Sequence, residues 1–122
     1  MPRQTNESEF KVIIPREKTA LNKAVKAMSQ RFGGVTVMKV KGAWLDKKGK
    51  TVYDDNYLLM SNRDLDGKSK NIMKFDRDFM RELGLQLGKD TKQDEIWLEE
   101  DIIRDVTFLE IPKKGRKLKE VM

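Results

Sequence analysis

Two stripes of apolar residues at helical spacing, each flanked by strand-like runs, narrow the folds open to this chain more than any other feature. The first stripe begins near Lys18, and the second extends roughly from Asn71 to Leu87. Each predicts an amphipathic helix that packs one side against a core. The stripes are Leu21, Ala24, Val25, Met28 and Phe32, then Ile72, Phe75, Phe79, Met80, Leu83 and Leu87.

Glycines mark the expected ends of both helices. Gly33 and Gly34 follow the first stripe directly, and glycine ends a helix readily because it adopts the left-handed conformation without strain. In the second stripe, Gly84 is expected to weaken the last turn and Gly88 to cap the helix.

Strand-like runs lie before, between and after the helices. FKVII predicts a first strand that ends at Pro15, because proline lacks the amide hydrogen that a sheet ladder uses. VTVMKVKGAWL and TVYDDNYLLMS predict two more strands, joined at 46–49 by DKKG, whose aspartate and glycine suit a type I hairpin turn. Residues 94–106 fit a helix nearly as well as a strand, but their apolar spacing favours one or two strands with a bend near 101–105.

The predicted order is that of the ferredoxin-like α+β fold βαββαβ, a four-stranded antiparallel sheet with two helices on one face. A chain of 122 residues is close to the commonest size of one domain. We therefore predict a single domain over residues 10–112, with a flexible tail at 1–9. Residues 113–122 are predicted to form a basic tail, because five of these ten residues are Lys or Arg.

Apolar residues occupy both faces of several predicted strands. Ile13 stands between Val12 and Ile14, and Met38 follows Val37. Two helices cover only one face of a four-stranded sheet, so the other apolar face needs a second cover. The simplest cover is another copy of the chain, and we predict a homodimer through the sheet face.

Composition removes much of enzyme chemistry. The chain has no Cys and no His, which excludes thiolate nucleophiles, disulfides, Cys- or His-ligated metals and triads built on either residue. No catalytic motif and no phosphate-binding loop is present, since Gly33-Gly34 leads into a strand and not into a helix. The sequence therefore favours a protein that is not an enzyme and needs no cofactor.

The charge of the chain favours anionic partners. There are 26 Lys and Arg against 20 Asp and Glu, a formal net charge of +6. Nucleic acid and acidic protein surfaces are the partners that such a field attracts.

The N-terminal MPRQTNESEF has no signal-peptide pattern, and no apolar run approaches the roughly 20 residues that span a bilayer. We therefore expect a cytoplasmic protein without membrane contact.

The passage RFGGVTVMKVKGAWLDKKGKTVYDDN resembles the hallmark of a family of small uncharacterised bacterial domains, many of them lipoproteins. The resemblance covers about a quarter of the chain and implies the same passage from helix to hairpin. The chain lacks a lipoprotein signal and the glycine that usually ends the family's first strand. Because the family has no assigned activity, the resemblance implies little about function. The matching positions are Arg31, Phe32, Gly34, Thr36, Val37, Gly42, Trp44, Gly49, Asp54 and Asn56, with Gln93 and Ile96 similar to its last strand.

The hairpin is also a candidate nucleic-acid interface. Aromatic side chains beside cations are the combination that stacks bases and contacts phosphates in ferredoxin-like RNA-binding modules. Against this, the aromatic strand motif of those modules is absent, and nearby aspartates repel phosphate. Trp44 on its own is more often a core or interface residue. The candidate residues are Trp44, Tyr53, Tyr57, Lys39, Lys41, Lys47 and Lys48, with Lys113, Lys114, Arg116 and Lys117 of the basic tail.

Asp54 and Asn56 are weak candidates for metal binding. Residues two apart on a strand point to one face, and their oxygens suit Mg²⁺ or Ca²⁺ if Glu99 or Asp101 approached from the last strand. Two oxygens alone are more often a solvated strand end.

Three functions follow from these patterns. The first is a small, non-catalytic binding or interaction module. Its helix cations would meet an acidic partner if they share a face, and they are Lys23, Lys26, Arg31, Lys74, Arg77 and Arg81. The second is a nucleic-acid-binding protein that uses the hairpin at 39–57 and the basic tail. The third is a metal-assisted enzyme around Asp54.

Overall fold

Six elements make up the protein, and the computed structural model describes them over residues 3–68 and 70–112. They are strand β1 Arg3–Pro15, helix α1 Lys18–Phe32, strands β2 Thr36–Leu45 and β3 Thr51–Asp64, helix α2 Lys70–Asp90 and strand β4 Trp97–Phe108. The strands form one antiparallel sheet in the order β2-β3-β1-β4. The predicted ferredoxin-like α+β fold is confirmed.

The two faces of the sheet differ. Phe10, Val12 and Ile14 on β1 are buried in one core with residues of both helices, so this side is the helix face. The odd-numbered residues between them point to the other side, which we call the open face. Directly opposed residues of antiparallel strands share a face, and the register therefore assigns every paired residue to the helix face or to the open face. Leu59, opposite Val12, is accordingly buried on the helix face.

β1 is longer than the sequence indicates. It begins at Arg3, so residues 3–9 belong to the sheet and their prediction as a flexible tail is wrong. Arg3 pairs with Phe108 of β4, and Glu7 pairs with both Asp64 and Ile103. These residues are strand-forming because partners flank them on both sides, although their polar composition carries no apolar alternation.

Side-chain and glycine caps close the ends of α1. The Glu17 carboxylate accepts hydrogen bonds from the amides of Thr19 at 3.0 Å and Ala20 at 2.6 Å. Gly33 ends the helix as predicted, with φ of 90° and its amide bonded to the Ser29 carbonyl.

The acid limb of the stability curve is expected to depend on Glu17. The amides of Ala20 and Thr19 hold the pKa of Glu17 below its ordinary value. A lowered folded-state pKa gives a contribution that is present near neutral pH and is lost as the pH falls through that pKa. Urea unfolding at stepwise lower pH should therefore show that the difference in free energy of unfolding between the parent chain and Glu17→Gln narrows in acid. An unchanged difference would contradict the prediction.

α2 runs through both of its glycines. The predicted cap at Gly88 is wrong, because the helix continues to Asp90 and Gly84 and Gly88 are buried within it. Both lie one helical turn apart against Ile96, on the segment that enters β4. The glycines let Ile96 approach the helix backbone closely.

These two glycines should respond differently to alanine. A β-carbon at Gly84 would stand 3.9 Å from Ile96, an ordinary contact, so Gly84→Ala should stabilise the protein by up to about 1 kcal/mol through helix propensity. At Gly88 the same atom would be 3.0 Å from Ile96 Cγ1, so Gly88→Ala should lose that gain to crowding. Thermal melts of the two variants test this, and equal stabilisation of both would contradict it.

A buried carboxylate joins both helices to the sheet. Asp76 of α2 is fully buried and accepts hydrogen bonds from Arg31 Nε at 2.9 Å and from Arg63 Nε and Nη2 at 2.8 Å each. Arg63 also donates to the Arg31 carbonyl at 3.2 Å, and the hydrogen bonds to Asp76 raise the pKa of Arg63. The guanidinium groups of Arg63 and Arg31 lie over the rings of Phe32 and Phe79. We call Arg31, Arg63 and Asp76 the buried ion triad, after the fully buried Asp76 at its centre; the two arginines are half-buried.

The predicted hairpin turn and the bend in the last strand both form. Asp46 Oδ1 accepts from the amides of Lys48 and Lys50, and Gly49 takes φ of 79°. Residues 97–108 form a single strand, and its pairing with β1 is irregular between Thr5 and Glu7, where Asp105 adopts φ of 57°.

Candidate functional site

The open face is divided into an apolar half and an acidic half. Neither helix covers it, and its residues follow from the register with β1. The apolar half is Ile13, Met38, Val40, Leu58, Met60 and Trp97. The acidic half is Glu7, Glu9, Asp64, Glu99 and Asp101, with Asn62, Lys11 and Ile103 among them.

The apolar half leaves large side chains in contact with solvent. Met38 is 46% exposed and Trp97 is 48% exposed, while Ile13, Leu58 and Met60 are half-buried. A contiguous apolar strip on a sheet face is typical of a contact surface. The predicted apolar character of the open face holds for this half, and it is wrong for the half that the carboxylates occupy.

The acidic half contains carboxylates that are buried without a helix above them. Glu7 is 6% exposed and accepts from Asn62 Nδ2 at 3.3 Å and Thr5 Oγ1 at 3.4 Å. Glu9 is 8% exposed and pairs with Lys11 Nζ at 3.1 Å. Side chains of the flanking strands, not a covering layer, remove these groups from water.

The electrostatic field of this half is negative. The hydrogen bond and charge of Glu9, with further contributions from Glu99 and Asp101, raise the pKa of Lys11. The Asn62 side-chain oxygen is buried and has no hydrogen-bond partner among the described residues. The charge of this surface therefore favours further positive charge beside it.

The hairpin aromatics do not form one stacking surface. Trp44 lies on the open face opposite Val52, whereas Tyr53 and Tyr57 lie on the other side of the sheet. Lys39 and Lys41 pair with Tyr57 and Asp55 on that same other side, and Lys47 and Lys48 lie in the turn. Lys113, Lys114, Arg116 and Lys117 lie outside the described residues.

The candidate metal ligands lie away from the other acids. Asp54 and Asn56 do share the open face, and the Asp54 side chain lies across the backbone of Gly42, where a larger residue would collide with it. β4, which carries Glu99 and Asp101, is separated from β3 by β1. Within residues 3–68 and 70–112, no group of three acids is placed to hold a metal ion.

Most of the helix cations expected to face an acidic partner are paired within the chain. Arg31 belongs to the buried ion triad, and Arg77 binds Glu100 at 2.8 Å. Lys23 contacts Asp90 and Lys74 contacts Asp78. The partner of Arg31 has a sequence signal, because Asp76 stands four residues from both Ile72 and Met80 within the apolar stripe.

A shallow groove of about 660 Å³ lies between α2 and the segment that enters β4. Gly84, Gly88 and Ile96 line it, with Arg81 and Glu95 among the polar residues at its edge. Its floor is the close helix contact described above. Neither helix, within the described residues, is long and apolar enough to cross a membrane.

Comparisons with known proteins support the fold. No family model matches the chain, and no curated protein matches it, so the resemblance to the bacterial domain family stays a prediction. A phage SAM lyase in its apo state matches with a TM-score of 0.55 and 16% identity, over 96% of this chain and 98% of that one. A phage SAM lyase in complex with S-methyl-5'-thioadenosine matches with a TM-score of 0.53 and 16% identity, over 93% of each chain. CutA1 from Oryza sativa matches with a TM-score of 0.50 and 14% identity, over 97% and 89%.

Proposed function

We propose that the protein is a self-associating binding module whose apolar half is the contact surface between copies. The observation that supports it is the half-exposed strip of Ile13, Met38, Leu58, Met60 and Trp97 on a sheet face that the helices leave uncovered. Burial of such side chains stabilises association in proportion to the apolar area removed from water.

A second copy fits this strip better than an acidic protein does. The strip itself carries no charge, and four cations of the helices, Lys23, Arg31, Lys74 and Arg77, already have carboxylate partners in the same chain. Two apolar strips satisfy one another around a two-fold axis, because the same patch serves on both copies. The acidic halves then remain outside the contact.

The molar mass in solution tests the proposal. Light scattering at several concentrations should give more than one chain for the parent protein and one chain for Leu58→Asp, which places a charge in the centre of the strip. Leu85→Asp is the matched control, because Leu85 is exposed on α2 away from the open face. A parent protein with the mass of one chain at every concentration would overturn the proposal.

A second candidate function is the binding of a cationic nucleoside by the acidic half. The observation that favours it is the pair of nine-tenths-buried carboxylates, Glu7 and Glu9, next to an apolar strip that ends in Trp97. SAM carries a sulfonium cation joined through a ribose to a flat base, so carboxylates and an apolar platform suit its two parts. The phage proteins that match over nearly their whole length are SAM lyases, which makes SAM the compound to test.

Melting temperatures distinguish recognition of the charge from recognition of the base. SAM is cationic, whereas S-methyl-5'-thioadenosine carries the same base without the sulfonium. We expect a larger rise in melting temperature with SAM, and we expect Glu9→Gln to remove the difference. Glu82→Gln, on the exposed surface of α2, is the control. Equal shifts for both compounds, or none, would remove this candidate.

A further inference from the structure

We propose that the C-terminal segment 113–122 docks in cis onto the acidic half of the open face. This inference is separate from self-association, which uses the apolar half, and the segment would compete with a cationic nucleoside for the acidic half. It assigns an occupant to a surface that neither helix covers.

The two partners have opposite charges. The segment KKGRKLKEVM carries five Lys or Arg and one Glu. The acidic half carries five carboxylates and two cations. The cations are Lys11, which lies within it, and Arg3, which lies at its edge 3.5 Å from Asp64. Each side therefore holds an excess of charge that the other can compensate, and the effect weakens with added salt.

The path of β4 delivers the segment to this surface. β4 ends at Phe108, opposite Arg3 at the start of β1, so the chain leaves the sheet beyond its acidic half. Asp101 lies seven residues back along β4, about 23 Å at strand spacing. Ten extended residues span up to about 33 Å, which is enough to return over Asp101 and Glu99. Attachment also gives the segment a high effective concentration that a separate partner lacks.

Hydrogen-bonding groups on the acidic half are suited to lysine. Glu7 is buried with no Lys or Arg within salt-bridge distance among the described residues, and its two hydrogen bonds are long. The neighbouring Asn62 oxygen has no partner among them. A lysine ammonium has three donors, no acceptor and a positive charge, so it suits a surface on which carboxylates are in excess.

Paramagnetic broadening tests the placement in the full-length protein. The chain has no cysteine, so Gly115→Cys gives a single attachment point for a nitroxide and keeps all five basic residues. We expect the amide signals of Glu9 and Glu99 to lose most of their intensity, while that of Lys26 on α1 is unchanged. Broadening restricted to the residues next to the segment would overturn the proposal.

Two further samples settle charge and connectivity. Replacing Lys113, Lys114, Arg116, Lys117 and Lys119 by Gln in the labelled chain should restore the lost signals, and persistent broadening would contradict a charge-driven contact. The other sample mixes the nitroxide-labelled chain at natural isotope abundance with the ¹⁵N-labelled parent chain, which has no cysteine and no nitroxide. In this mixture the Glu9 and Glu99 signals should stay sharp. Broadening in that mixture would show docking between copies and would overturn docking in cis.

Discussion

Replacing Asp76 by Asn is expected to lower the free energy of unfolding by roughly 3–5 kcal/mol, the range found when one partner of a buried ion pair is removed. Asp76 is fully buried and receives three hydrogen bonds from Arg31 and Arg63. Asparagine has nearly the same shape but no charge, so two guanidinium groups would remain close together without a counter-ion. It also offers one acceptor oxygen where the carboxylate has two.

Urea unfolding followed by circular dichroism measures this loss. Asp78→Asn is the matched control, because Asp78 is exposed on the same helix and pairs with Lys74 at 3.0 Å. Such an i,i+4 surface pair contributes about 0.3–0.5 kcal/mol, so the control should unfold close to the parent protein. Similar losses in both variants would mean that the triad does not hold the helices to the sheet.

Leu59→Ala should lower the free energy of unfolding by about 2–5 kcal/mol, the range found when a leucine is truncated to alanine in a packed core. Leu59 is fully buried on the helix face of the central strand β3, opposite Val12. Its neighbour Leu58 is half-buried and points to the open face, opposite Ile13 and Met38. At a concentration where the chain is monomeric, Leu58→Ala should cost less than about 1 kcal/mol.

The comparison of adjacent leucines separates folding from association. Leu59→Ala should lower the denaturation midpoint at every protein concentration. Leu58→Ala should act mainly on the concentration dependence of that midpoint, because association adds stability by mass action. A large, concentration-independent loss for Leu58→Ala would show that the open face is part of the folding core of a single chain.

The element order could be predicted because each element has a local pattern. The apolar stripe of α1, its glycine stop and the DKKG turn are properties of neighbouring residues, and the structure places all three as predicted. The first part of β1 could not be predicted in this way. Thr5, Glu7 and Glu9 become buried through pairing with strands that end nearly 60 and 100 residues later in the chain.

The internal glycines of α2 and the buried ion triad show the same limit. Gly88 has the position of a cap in sequence, but its contact with Ile96 depends on the direction in which the chain returns to the sheet. Arg31 looks like a surface cation until α2 brings Asp76 to it across 45 residues. For the candidate site, the sequence indicated apolar residues on both faces but not the division of the open face into halves, since that requires the register.

The carboxylates of β1 also protect the fold against strand slippage. Shifting β1 by one position against its neighbours would exchange its two sides, so that Glu7 and Glu9 would enter the layer beneath the helices while Phe10 and Val12 turned to water. Each misplaced carboxylate would cost several kcal/mol without a partner. A mispaired molecule is therefore selected against as soon as the helices begin to close over the sheet.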